Sequence, residues 1–344
     1  MYINVRSAFA SRNVTRATVS FATGHLRTLT LAGLACALGL WSVYPCALSA
    51  QSLSETSVSI TPRSRPASKK PSGSIRADVN LVQIPVSVTD SSGRPVRGLG
   101  LDTFQVLEDG VAQPVSAMAK EDAPISIGLL FDASASMAGK LERSRAAISQ
   151  LLGTSVAGDE YFLLEFNDSP KILSGFTSDQ GEIVRALGYI QPQGWTSLFD
   201  AVHLALNQMK KARNSRRALV VLSDGGDNNS RYSLGEIKSL LRESDVAMYA
   251  IGMLGPMVTP GSIRCLRNLT NETGGRMFPV ASLSQLPDVI DKVSVALREQ
   301  YILAYSPTNP ARDGRFRRVT VKLLPRIGLP RLHASWRVGY YAPQ

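Results

Sequence analysis

Asp132, Ser134 and Ser136 occupy alternate positions of the run Asp132-Ala133-Ser134-Ala135-Ser136, directly after the apolar stretch Ile125 to Phe131. One carboxylate and two hydroxyls at that spacing in a tight loop can turn their oxygens toward one point. Oxygen donors suit hard cations such as Mg²⁺, Mn²⁺ and Ca²⁺; Mg²⁺ in particular keeps waters or outside oxygens, so a few protein oxygens are enough. Two more oxygen suppliers stand where later elements end. Thr196 lies in Gly194-Trp195-Thr196-Ser197-Leu198-Phe199-Asp200-Ala201, just ahead of a helix, and Asp224 follows Val220-Val221-Leu222-Ser223 and precedes Gly225-Gly226. Helix capping would explain Asp or Ser at one of these positions, because both satisfy free backbone N–H groups, but not their joint occurrence. Asp200 falls within the start of the helix after Thr196, which favours a supporting hydrogen bond over ligation. Asp227 and Asn228 read first as turn residues, with a lesser part beside the ligand face.

These residues need rigid elements behind them. Apolar runs at Ile125 to Phe131, Phe162 to Phe166, Ala218 to Leu222 and Val246 to Ile251 are each followed by a helical pattern, the mark of buried parallel strands. Segments 140–152 and 286–297 each place an apolar stripe on one helical face: Leu141, Ile148, Leu151 and Leu152 in the first, Val289, Ile290, Val293 and Leu297 in the second. The expected architecture is α/β, a doubly wound and mainly parallel sheet, whose ligands belong at the carboxyl ends of its strands. On both sides of it the period changes to two. Val82, Ile84, Val86 and Val88 alternate before the turn Asp90-Ser91-Ser92-Gly93, and a second strand is expected at 103–107. Segments 301–305, 316–323 and 332–340 alternate again near the other end. Two or three strands are marginal alone, so both ends are expected to build one β-sandwich, with the α/β domain inserted between its halves and the insertion points close together.

The three motifs DASAS, GWTSLFDA and VVLSDGGDN, in that order and each at the end of an element, resemble the metal-ion-dependent adhesion site (MIDAS) of von Willebrand factor A domains. The resemblance implies that Asp132, Ser134, Ser136 and Thr196 coordinate a divalent cation directly or nearly so, and that Asp224 does so directly or through water. Mg²⁺ is the first expectation, with Mn²⁺ or Ca²⁺ as alternatives. Asp200 and Asp227 would stand behind the ligands. The alanines in DASAS depart from the commoner glycines at positions that supply no side-chain ligand. The flanking β segments and the ending Gly339-Tyr340-Tyr341-Ala342-Pro343 resemble a bacterial group of exported proteins, abundant in Acidobacteria, that carries an A-related domain.

The first fifty residues contain four arginines and no acidic residue, then an apolar stretch from Leu29 to Val43, then Ala47-Leu48-Ser49-Ala50. That order is the grammar of an export signal, and 28–50 is also long enough for an uncleaved membrane anchor; both remain open. Gly33-Leu34-Ala35-Cys36 matches a lipoprotein box poorly. Segment 51–74 turns to Ser, Pro, Lys and Arg with little to bury, a flexible spacer. The expected division is signal or anchor at 1–50, linker at 51–77, N-terminal β segment at 78–120, A domain at 121–299 and C-terminal β segment at 300–344. Cys36 and Cys46 lie in the signal, which leaves Cys265 with no partner for a disulfide. Removing the four signal arginines leaves 34 of 38 basic side chains against 27 acidic ones, an excess of seven. Without interleaved stacking aromatics this reads as a solvated surface and not as a nucleic-acid footprint.

The family resemblance implies adhesion: an Asp or Glu carboxylate from a protein partner fills the open position on the metal. An envelope assembly role with a structural metal is the competing reading. Metal-assisted hydrolysis is the least favoured, because it lacks a general base: His25 is in the signal, His203 on a helix, His333 in a terminal strand, and no nucleophile elbow or phosphate loop occurs. An exported, non-enzymatic, metal-dependent binding protein is therefore expected, with any membrane contact limited to an uncleaved N-terminal segment. By the same resemblance, segment 286–297 is where ligation would be coupled to movement of the last helix.

Overall fold

The computed structural model describes residues 81–120, 123–255, 258–325 and 331–344. The expected signal or anchor and the linker lie outside the described residues. Among the described residues no helix is long and apolar enough to cross a membrane.

The chain enters through β1 (Val82–Thr89), whose inward residues Val82, Ile84, Val86 and Val88 are buried while the alternate ones are not. It continues through β2 (Phe104–Glu108), β3 (Val111–Gln113) and β4 (Val115–Lys120). The second strand starts one residue later than its pattern suggested, because Thr103 closes a short 3-10 turn. It also ends one residue later, because Glu108 points inward and accepts hydrogen bonds of 2.8 Å from the hydroxyls of Tyr305 and Tyr340.

The central domain follows: β5 (Ile125–Asp132), α1 (Leu141–Leu152), β6 (Glu160–Phe166), β7 (Pro170–Thr177), α2 (Gln180–Gly188), α3 (Leu198–Met209), β8 (Arg216–Ser223), α4 (Leu234–Glu243), β9 (Ala247–Met253), α5 (Pro260–Glu272), β10 (Met277–Val280) and α6 (Leu286–Arg298). The sheet order is β10-β9-β8-β5-β6-β7, all parallel except β7, which pairs antiparallel with β6 at the edge. β5 is buried along its whole length, as a central strand covered on both faces must be. One face packs the apolar stripes of α1, α2 and α6, the other those of α3, α4 and α5. From β5 the chain runs outward to β6 and β7, then returns to the other side of β5 with β8 and proceeds to β9 and β10. The winding thus reverses between β5 and β8. The diverging connections at such a switch point leave a crevice at the carboxyl ends of the two strands.

The last strands are β11 (Tyr301–Tyr305), β12 (Phe316–Leu323), β13 (His333–Trp336) and β14 (Gly339–Tyr341). They join the first four in two antiparallel sheets, β13-β1-β11-β4 and β14-β12-β2-β3, so each sheet draws on both sides of the central domain. Ile84, Val86, Val106, Leu303, Val319 and Val321 share the core between them. The expected α/β domain inserted into a β-sandwich is therefore the observed fold. Lys120, the last residue of β4, pairs with Tyr301, the first of β11, so the chain leaves and re-enters the sandwich at one place.

Candidate metal centre

β5 ends on Asp132, whose side chain is fully buried at the switch point. Its Oδ1 accepts the Ser134 backbone N–H at 2.9 Å and its Oδ2 accepts the Ser223 hydroxyl at 2.6 Å. Burial pushes its pKa up to about 6 although both serines oppose the shift, and the nearby Asp224 charge adds to the rise. The loop that follows is fixed by backbone bonds: Ala133 N–H to Phe166 O at 2.8 Å, Gln193 N–H to Ala133 O at 2.8 Å, and Ala135 N–H to Gly194 O at 3.1 Å. Met137, completely buried, plugs the loop into the core. The Ser134 and Ser136 Oγ atoms come within 3.1 Å of each other.

The connection carrying Thr196 is tied on two sides. Trp195 N–H donates to Asp168 Oδ1 at 2.7 Å and Ser197 N–H to Asn167 O at 2.9 Å, just beyond β6. Thr196 N–H donates to Asn228 Oδ1 at 2.8 Å, and its carbonyl accepts the N–H groups of Asn228 and Asn229 at 3.1 Å each. Gly194 adopts φ +71° directly against Asp168, where a Cβ would lie 2.4 Å from the carboxylate; any side chain would strain this turn and push the Asp168 carboxylate aside. The result is a buried Thr196 beside a Trp195 that remains 63% exposed.

Asp224 comes one residue after β8, mostly buried. Gly225 (φ +80°) turns the chain there, so close to α5 that a Cβ would meet the Ser262 carbonyl at 2.7 Å. The Lys140 ammonium lies 3.3 Å from Asp224 Oδ2.

The five residues singled out by type and spacing thus converge on the carboxyl ends of β5 and β8 and the head of α3. They bring two carboxylates and three hydroxyls, the donor set of a hard divalent cation. The serine pair also has the right span: metal–oxygen distances of about 2.1 Å place neighbouring oxygens of an octahedron roughly 3.0 Å apart. Among the described residues no group of three or more His, Cys, Asp and Glu side chains is gathered for a metal.

Residues 127–226 match the family pattern described as the von Willebrand factor type A domain, a stretch that includes all five of these residues. The chain carries a von Willebrand factor A domain. Among solved structures it is similar to the conserved hypothetical protein BatB from Bacteroides thetaiotaomicron, at 17% identity over 50% of this chain and 98% of that one, with a TM-score of 0.42. It is also similar to the von Willebrand factor type A protein from Catenulispora acidiphila, at 10% identity over 78% and 75% of the two chains, TM-score 0.47. Proximal thread matrix protein 1 from the mussel byssus, with a zinc-occupied MIDAS motif, is 20% identical over 56% of this chain and 50% of its own, TM-score 0.46. No curated protein matches.

Within the A domain, Asp200 and Asp227 serve the loop after Asp224. Asp200 Oδ1 accepts the N–H groups of Arg231 (2.9 Å) and Tyr232 (3.1 Å). Asp227 Oδ1 accepts the Ser230 hydroxyl (2.5 Å) and the Phe199 N–H (3.3 Å), and burial raises its pKa. Both carboxylates clasp residues 227–232 to the first turn of α3, which carries Thr196 at its entrance. Three participants escaped sequence reasoning. Ser223 looked like the end of an apolar strand, Lys140 like the first residue of a helix, and Asp168 had not been singled out at all. Lys140 alone left a signal: a cation at a helix N-terminus opposes the dipole, a local misfit that asks for a reason.

Proposed function

We propose that the A domain is a metal-dependent protein-binding module, in which Asp132, Ser134, Ser136, Thr196 and Asp224 would hold a divalent cation, Mg²⁺ foremost. What supports this reading is that the residues bearing two carboxylates and three hydroxyls stand together at the carboxyl ends of β5 and β8 and the head of α3, with Ser136 exposed at the rim. A cation bound there supplies a Lewis-acidic position open to an anionic oxygen. The protein supplies the rest: Asp132 is held by Ser134 and Ser223, Thr196 by Asn228, and the exposed Trp195 stands beside the opening. A partner presenting an Asp or Glu side chain fits that arrangement, since its carboxylate completes the metal while neighbouring residues meet Trp195. Binding is favoured over catalysis because, among the described residues, neither histidine stands beside the donors. His203 stacks on Tyr232 from α3, and His333 belongs to β13 in the sandwich. The export grammar of the first fifty residues supports a site of action in the cell envelope or outside the cell.

Calorimetric titration of Mg²⁺ and Mn²⁺ into the full chain, stripped with chelator, tests the site. The wild type is expected to bind, and Asp132→Ala and Asp224→Ala to lose about 100-fold or more in affinity while retaining the far-UV circular dichroism of the parent. A folded wild type with no heat of binding would sink the proposal.

A further inference from the structure

Asp224 is the one carboxylate of the five-residue set that meets a protein cation among the described residues. Asp132 has an oxygen on the Ser134 N–H and the other on the Ser223 hydroxyl. Asp224 Oδ2 instead faces the Lys140 ammonium at 3.3 Å, with the two side chains only 11% and 18% exposed. Lys140 sits at the head of α1, where the helix dipole disfavours positive charge, and it gives up much of the hydration that an ammonium prefers. In that position its ammonium donates to Asp224.

We infer that Lys140 is an exchangeable counter-cation of the metal site: it neutralises Asp224 when the site is empty, and a divalent cation takes that carboxylate only as the ammonium swings aside on its four-carbon stem. The inference rests on the proposed metal site. Its electrostatics are simple. A monovalent ion brings no more charge than the ammonium already supplies and gains little by replacing it, whereas a divalent ion doubles the charge opposite two carboxylates. Lys140 therefore discriminates against Na⁺ and K⁺ and sets the free divalent concentration at which the site fills. Once displaced, its charge remains beside a neutralised site, which becomes net positive and attracts the carboxylate of a partner.

The test uses the full metal-free chain. Mn²⁺ is titrated calorimetrically into the wild type and Lys140→Met, which keeps a long stem without charge. Separately, acetylation of Lys140 in the wild type by an amine reagent is followed by mass spectrometry with and without saturating Mn²⁺. Lys140→Met is expected to bind Mn²⁺ about tenfold more tightly, and Mn²⁺ to speed acetylation of wild-type Lys140 several-fold. Binding by Lys140→Met alone would be the strongest form of support. Equal or weaker binding by a folded Lys140→Met, or labelling unchanged by Mn²⁺, overturns the inference and leaves the metal site standing. Absence of binding by both proteins overturns both.

Discussion

The two ends of the central sheet bury carboxylates in opposite ways. At the amino end of β6, Asp159 accepts the N–H groups of Ile125 and Val156 at 2.9 Å each and is clamped by the Arg298 guanidinium at the end of α6. Its neighbour Glu160 takes the Ser126 hydroxyl at 2.6 Å and the Arg213 N–H and Nε at 2.7 and 2.8 Å. Burial alone would raise both pKa values, but the arginine and N–H or hydroxyl donors outweigh it and hold both below the usual carboxylate range. At the carboxyl end, Asp132 lies deeper in the protein and has a hydroxyl and one N–H in place of a guanidinium, so burial wins and its pKa goes up. One end is electrostatically closed and serves stability. The other is short of positive charge, and the shortage is what suits it to the proposed cation.

The sharpest way to break the comparison is to remove one charge from each end. Arg298→Ala leaves Asp159 buried without its guanidinium and is expected to cost about 3 kcal/mol, read as a lowered midpoint in urea unfolding. Asp132→Asn keeps the shape and an acceptor for Ser134 but deletes a buried charge that has no cation beside it among the described residues. The metal-free protein should then change by less than about 1 kcal/mol at pH 7, or gain stability, while metal binding is lost. Comparable losses for both variants would erase the distinction.

The fold and the site were legible to different depths. Strands such as β5 and β8 announce themselves because burial on both faces demands unbroken apolar runs. β7, Pro170-Lys171-Ile172-Leu173-Ser174-Gly175-Phe176-Thr177, runs along the exposed edge, where no such demand exists, and its sequence carries no strand pattern of either kind. β3 and β4 are missed for the same reason, being largely exposed. At the site, the oxygen donors were visible because metal chemistry restricts their types and their spacing follows strand ends. Asp168 and Ser223 were not, because their role is to bond backbone or side chains far away in sequence, which only the folded register brings near.

The same two ends give opposite pH dependence. Asp132 has a folded pKa of about 6, above its unfolded value, so the native state holds the proton more tightly. The stability it contributes is complete below pH 4, roughly the unfolded value, and is lost as pH rises through 6, by at most about 3 kcal/mol. Asp159 and Glu160, with lowered values, contribute stability above the unfolded carboxylate range that is lost on acidification. Urea midpoints of metal-free Asp132→Asn and wild type, compared from pH 4 to 8, should therefore diverge as pH rises. Metal affinity should weaken below pH 6 as protons compete for Asp132. Parallel curves for the two proteins would show that the carboxylate is not strained by its burial.

The smallest effect on the fold concerns Trp195. Its backbone N–H is fixed to Asp168, and Asn229 Nδ2 donates to the Asp168 carbonyl at 2.7 Å, so the connection is rigid while the indole projects into solvent. A large aromatic held outward on a braced backbone loses little entropy on contact, the property of an interface anchor. Trp195→Ala should leave stability within about 0.5 kcal/mol and metal affinity unchanged, because the Thr196 backbone bonds to Asn228 do not pass through the indole. Binding to an acidic partner, followed by surface plasmon resonance in saturating Mg²⁺, should weaken about tenfold or more through faster dissociation. If the variant instead loses metal, the indole shields the site and does not meet the partner; if it loses stability, its exposed position conceals a packing role. Only a loss confined to partner binding separates the recognition surface of this end from its metal chemistry, a separation with no counterpart at the closed end of the sheet.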